Sequence, residues 1–302
     1  MDASDLRIFA AVAKNGSMNR AAAELNMVQS NITSRVRALE EELGVQLFIR
    51  RSRGVEPSEA GLRLLGYSEQ INALFREAIA AVKEDGVPKG GLRLGTTEST
   101  LVAQLPRIVP PYLDRFQKVD LSISTGTTTG LVKLVLDGQL DGAFVAGPVN
   151  RRELDEEHIL TEELVLVGPS SLPDLESFRE ISNLKLIGFY SECSYRQRLD
   201  LVLEDMNLEY KVMEFDSLQS LMSCVGESSG ITLLPEALVK GFMKEQSVSI
   251  HRLPKERAMS EVVFIRRHDR TSTAALLAFL EMTRELCTLE TRDLSLREIA
   301  AI

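Results

Sequence analysis

The stretch Ser17–Glu40 reads SMNRAAAELNMVQSNITSRVRALE, and its periodicity decides the amino-terminal fold. Ala21, Ala22 and Leu25 give one short helix an apolar face. Ile32, Val36 and Leu39, at i, i+4 and i+7, give a second helix its own. Asn26-Met27-Val28 between them has room for a turn but not for a strand. Small alanines let two helices cross closely, which is the geometry of a helix-turn-helix. With Ile32, Val36 and Leu39 inward, Gln29, Ser30, Thr33, Ser34 and Arg37 face outward. Short hydrogen-bonding side chains can reach base edges in a major groove, and arginine supplies charge for phosphate or guanine.

Upstream, Ser4 and Asp5 can begin another helix with Leu6, Phe9, Ala10 and Ala13 along one face. Gly16 ends it and Ser17 is placed to cap the next. Downstream, Leu47–Ile49 alternates among charged residues, and Arg51-Ser52-Arg53-Gly54 supplies a turn before Val55. A short hairpin wing is predicted, with Arg51 and Arg53 holding phosphate or the minor groove. Pro57-Ser58-Glu59 opens a long helix to about Glu84, with Ser58 as its N-cap. Leu64, Tyr67, Ile71, Leu74, Ala78 and Ala81 follow a heptad rhythm along it, which predicts a partner helix and makes Leu64, Ile71 and Leu74 the dimer contacts. Asp85 to Gly91 then reads as a hinge.

AAAEL, QSNIT, LEEELG at Leu39–Gly44, LF at Leu47–Phe48 and SRGVEPSEAG follow one another within the first sixty-odd residues. In that order and spacing they resemble the LysR-type transcriptional regulators, and the resemblance covers nearly the whole chain. Where that family often carries Ser-Arg, this chain has Thr33-Ser34, with arginine at Arg35. The serine usual before the recognition helix is Val28 here. The resemblance implies a bacterial transcription factor with a winged helix-turn-helix, a dimerising linker helix and a two-lobed α/β effector domain related in fold to the periplasmic binding proteins. It further implies a homotetramer built as a dimer of dimers on two operator half-sites in double-stranded DNA, a small-molecule effector, and contact with RNA polymerase. Gln29, Ser30, Thr33, Ser34, Arg35, Arg37, Arg51 and Arg53 are the expected DNA contacts.

From Leu92 the rhythm changes to alternating strands and helices. The predicted run is Leu92–Gly95 strand, Ser99–Phe116 helix broken near Pro106, Leu121–Ser124 strand, Thr128–Leu136 helix and Asp141–Ala146 strand. A second set runs from Leu184 to Phe242. Glu163–Val167 and Glu261–Ile265 are candidate crossing strands, and a helix follows over Thr273–Leu286. Such alternation predicts parallel sheets covered by helices. The domains expected are 1–58 for the head, 59–88 for the linker and 89–302 for the effector domain, with lobe I at about 91–162 and 267–302 and lobe II at about 163–266. Residues after about Leu289 extend past what that domain needs.

A ligand in such a fold sits at the carboxyl ends of strands, between the lobes. Thr96–Thr100 and Thr125–Gly130 are hydroxyl-rich turns from strand to helix, suited to an anion or carboxylate. The expected effector contacts are Thr97, Ser99, Thr100, Thr127, Thr128 and, from the facing lobe, Ser194. Tyr190–Ser194 and Gly226–Ile231 are further cleft loops. Glu98 would repel an anion if it pointed inward.

The formal charge is −9, yet residues 1–60 carry eight basic against eight acidic residues, so the excess acid lies beyond them. Five of those eight basic residues fall between Arg35 and Arg53, which makes the basic surface local. Cys193, Cys224 and Cys287 are widely spaced with no CxxC, and no apolar leader follows Met1; a reduced, cytoplasmic protein is expected. Those cysteines and His158, His251 and His268 belong to no GxSxG, HExxH, Walker A or GxGxxG pattern. No enzyme activity, metal or cofactor is expected.

Overall fold

The structure is a computed structural model describing all residues except 53, 83–85, 172–175, 182, 228–229, 243–247 and 300–302. At 77, 80, 81, 176, 180 and 288–299 only the backbone is described. Arg53 and the expected linker end near Glu84 therefore lie outside the described residues, as do Ser228 and Ser229. The chain divides into two compact units, one formed essentially by residues 1–85 and the other from Gly86 onward.

In the first unit, α1 (Ala3–Asn15) starts one residue before Ser4, because Asp2 and Asp5 form a reciprocal capping box. It buries Ile8 and Val12 as well as Leu6 and Phe9, since it packs against its neighbours on more than one side. Gly16 closes it at φ 59°, and Ser17 caps α2 (Met18–Glu24) through the Arg20 amide. Asn26, at φ 53°, makes the turn into α3 (Gln29–Leu43). Ala21, Ala22, Ile32, Val36 and Leu39 are buried together, as the periodicity requires.

The wing is the antiparallel pair β1 (Phe48–Arg51) and β2 (Gly54–Pro57). It is fastened to the α1–α2 joint, where the Val55 amide donates to the Gly16 carbonyl at 3.0 Å. A Cβ on Gly54 would lie 2.3 Å from that carbonyl oxygen, and φ there is 134°, so only glycine fits. Ser58 accepts from the Gly61 amide and opens α4 (Glu59–Val82).

In the second unit, β3 (Gly90–Thr96) leads through α5 (Glu98–Ala103) and α6 (Leu105–Arg115) to β4 (Val119–Thr125). Next come α7 (Thr128–Leu136), β5 (Gly142–Gly147) and the long β6 (Leu154–Pro169). A 3-10 turn at 176–180 precedes β7 (Lys185–Gly188), α8 (Ser194–Asp205), β8 (Lys211–Glu214), α9 (Leu218–Glu227), β9 (Gly230–Pro235) and α10 (Glu236–Phe242). The chain closes with β10 (Val248–Arg252), α11 (Lys255–Ala258), β11 (Met259–Arg267) and α12 (Ala274–Ile299). The expected break near Pro106 falls at Gln104, and β10 and α11 add to the elements expected from sequence.

The first lobe's sheet runs β4-β3-β5-β11-β6 and the second's β10-β6-β9-β7-β8, sharing β6. Residues up to Glu163 pair with β11, and those from Leu164 pair with β9, so β6 crosses between lobes where Glu163–Val167 was expected to. Glu261–Ile265 does not cross. It pairs with β5, and the chain has already returned to the first lobe by Met259 rather than at 267. Phe144, Phe264, Tyr112 and Phe279 fill the first lobe on one face, with ring centroids 4.9 Å apart for Phe144–Phe264 and 5.0 Å for Tyr112–Phe279. α7 covers the opposite face through Leu131 and Val135. A separate core around Leu166, Leu186, Leu221 and Leu233 builds the second lobe.

Candidate nucleic-acid face and effector cleft

On the first unit, Gln29, Ser30, Ser34 and Arg37 are exposed along α3, and Thr33 is half-buried. Gln29 Nε2 donates to Thr33 Oγ1 at 2.9 Å, which holds the amide along the helix surface. Arg37 pairs with Glu41 at 2.8 Å and Arg51 with Glu56 at 2.9 Å, both in solvent. Such exposed pairs contribute little and exchange readily for a stronger anion. Arg35 differs from the other arginines. Its Nε donates to Asp5 at 2.8 Å and its Nη2 to Asp2 at 3.0 Å, so its guanidinium ties α3 to the cap of α1. Val28 occupies the N-cap of α3 in extended conformation with no side-chain bond to the first turn.

The expected seam on α4 divides. Leu64 packs against the head's own core and Ile71 is half-buried, whereas Tyr67, Leu74, Phe75 and Ile79 are exposed.

On the second unit, the loops leaving β3, β4, β7 and β8 meet at the carboxyl ends of their parallel strands and enclose a cavity of about 230 Å³. Thr97, Ser99, Thr127, Thr128 and Ser194 line it. Thr100 does not. It is buried, one helical turn on from Thr97, and receives the Thr97 hydroxyl at 2.9 Å. Of the two further loops, Tyr190–Ser194 contributes Tyr190, Cys193 and Ser194, while Gly226 and Glu227 do not reach the cavity.

Several contributors escaped sequence reasoning. Tyr195 of α8 accepts from Ser99 Oγ at 3.3 Å and donates to Glu162 on β6, joining the lobes. Burial pushes Glu162 up to about 7, against the weaker opposing influence of the Tyr195 hydrogen bond and Arg198. Burial, with Glu162 beside it, carries Tyr195 well above its ordinary range. Glu98, which the sequence marked as repelling an anion if it pointed inward, does line the cavity, and it reaches across from α5 to accept the Leu218 amide at the start of α9, at 3.0 Å. Phe189 and the exposed Asp216 also line the cavity. Only hydroxyl-rich turns gave a local signal; Glu162 and Tyr195 are 33 positions apart and meet through the crossing strand. Cys193 lines the cavity with its thiol pushed up by burial, which argues against a reactive thiolate. Among the described residues, no group of three or more His, Cys, Asp or Glu could hold a metal ion, and no helix is long and apolar enough to cross a membrane.

Residues 3–62 match the bacterial regulatory helix-turn-helix protein, lysR family, and residues 85–288 match the LysR substrate binding domain. The chain is 37% identical over 281 residues to the transcriptional regulator GltR of Bacillus subtilis, covering 93% of this chain and 95% of that one. It is 38% identical over 287 residues to the regulator YofA of the same organism, covering 95% and 99%. Among solved structures, full-length OxyR of Pseudomonas aeruginosa superposes with a TM-score of 0.73 at 17% identity over 94% of this chain and 95% of that one. Full-length CbnR in complex with its target DNA superposes with a TM-score of 0.67 at 20% identity, over 94% and 99%. Its head, its two-lobed second unit and these matches over nearly its whole length place the chain in the LysR family of helix-turn-helix transcriptional regulators.

Proposed function

We propose that this regulator reads operator DNA through Gln29, Ser30, Thr33, Ser34 and Arg37, with Arg51 and Arg53 of the wing on phosphate or the minor groove, and that a compact ligand in the cleft controls the outcome. The observation that carries the reading is the exposed polar face of α3. Its inward residues are fully used by the head's core, leaving this face for a partner. Arg35 acts in this reading as a brace, holding α3 against Asp2 and Asp5 so that the reading face keeps its angle. The Tyr67, Leu74, Phe75 and Ile79 stripe of α4 pairs two protomers, and two such dimers engage two half-sites. Lobe closure on the ligand alters the spacing of the heads, the bending of the DNA and the contact with RNA polymerase.

A gel-shift titration with DNA from upstream of the gene tests the first step. Gln29→Ala should cost roughly 1–3 kcal/mol at particular base pairs, while Arg51→Ala should weaken binding to all sequences and reduce the salt slope by about one. Unchanged base preference in Gln29→Ala would remove Gln29 from the reading face.

A further inference from the structure

The charge pattern of the cavity bears on the class of its ligand. Among the described residues that line it, Glu98 and Asp216 are the charged ones, and no Lys, Arg or His joins them. The hydroxyls of Thr97, Ser99 and Tyr195 are arranged as acceptors. Tyr195 donates to Glu162, which leaves the phenolic oxygen to accept from Ser99. Thr97 Oγ1 lies 2.9 Å from Thr100 Oγ1 and 3.2 Å from Ser99 Oγ, so its single hydrogen is directed into the same network. Lone pairs are what Thr97 and Ser99 present to the cavity. The Leu218 amide at the start of α9, a group an incoming anion would seek, already donates to the chain's own Glu98. Phe189 and Tyr190 also line the cavity. An anion here would meet two carboxylates and no cationic side chain, whereas an ammonium group finds acceptors, carboxylates and aromatic side chains.

We propose that the cleft takes a compact organic ammonium ion, its N–H groups toward Glu98, Asp216 and the Thr97–Ser99 hydroxyls and its hydrocarbon part against Phe189. The proposal rests on the reading of the cleft as the effector site. It reverses the sign expected from the hydroxyl-rich turns alone.

Three probes of nearly one size separate the possibilities: n-butylammonium, n-butanol and n-butyrate, titrated calorimetrically into the full-length protein at neutral pH. Butylammonium should bind at least about tenfold more tightly than butyrate, a difference of about 1.4 kcal/mol. The double variant Glu98→Gln, Asp216→Asn should bring that ratio close to unity, because both amides keep an acceptor oxygen while losing the charge. Butyrate binding as well as butylammonium, or no binding by butylammonium, overturns the proposal. Ala146→Trp, which fills the cavity, tells this failure from failure of the cleft reading. If it abolishes binding of whichever probe the wild type takes, the cleft stands as the ligand site. Undiminished binding in that variant places the site elsewhere and overturns both.

Discussion

Glu162 is a carboxyl group whose environment works against its charge. A folded pKa of about 7, above the ordinary 4.5, means that the folded chain binds more protons than the unfolded chain between those values. Stability therefore falls as pH rises through that window, the reverse of an ion-paired carboxylate. The full loss is about 3 kcal/mol for such a displacement. Glu162→Gln keeps an acceptor for Tyr195 and removes the charge. Urea denaturation at about pH 8 should show the variant more stable by up to that amount, with little gain at about pH 5. A wild-type profile that is flat over this range, matched by the variant, would mean that Glu162 is well solvated. Val28 offers a second test at this scale. Its backbone already has the extended N-cap conformation, so Val28→Ser should add the missing bond to the first turn of α3 and stabilise the head by about 1 kcal/mol. An unchanged denaturation midpoint would show that water already serves those amides. Thr97, Ser99, Thr127, Thr128 and Ser194 could be read as cavity residues because strand ends locate the cleft. Thr100 could not be separated from them, since its inward turn depends on helix phase. The Arg35–Asp2–Asp5 brace was hidden for another reason: a basic residue on an outward-facing helix gives no local sign of acids 30 and 33 positions away.

At the scale of elements, α4 presents two different surfaces along one helix. Leu64 and Leu65 close the head's core, and Ser68 donates to the Leu6 carbonyl of α1 at 2.8 Å. Farther along, Leu74 is 54% exposed and Ile79 55%, with Tyr67 and Phe75 exposed beside them. Leu74→Asp should leave the isolated protomer's stability within about 0.5 kcal/mol, because its side chain is exposed there. In a packed seam it would bury an unpaired charge, so dimers should dissociate and operator binding should fall. Sedimentation velocity checks this directly; an unchanged assembly state would assign pairing to another surface. The heptad rhythm included Tyr67 and Leu74 of the exposed stripe but not Phe75 or Ile79, and it could not separate the residues that face the head from those that face outward. Most strands and helices of the second unit were legible from alternation alone. β10 was not: it is a five-residue strand paired along one side to β6, too short to stand out from the segment around it.

At the scale of the second unit, two hydrogen bonds cross between the lobes from neighbouring positions. Glu98 of α5 accepts the Leu218 amide, and Ser99 donates to Tyr195, which is held in turn by Glu162 on the crossing strand. The two bonds start from adjacent residues but end on different elements, α9 and α8, and each spans the same pair of lobes. If closure is one two-state motion, breaking either bond raises the open population, and both bonds report the change. Tyr195→Phe keeps the ring and removes its hydroxyl; a net loss of about 1 kcal/mol shifts the equilibrium toward the open state about fivefold. Amide hydrogen exchange at Leu218 should then accelerate by a similar factor, although Tyr195 makes no hydrogen bond to it. Saturating ligand should slow that exchange in the wild type and less completely in the variant, since the ligand must then replace a contact the protein has lost. Exchange at Leu218 that ignores Tyr195→Phe would show that Glu98 merely caps α9, and would remove the coupling between the cleft and lobe closure from the mechanism.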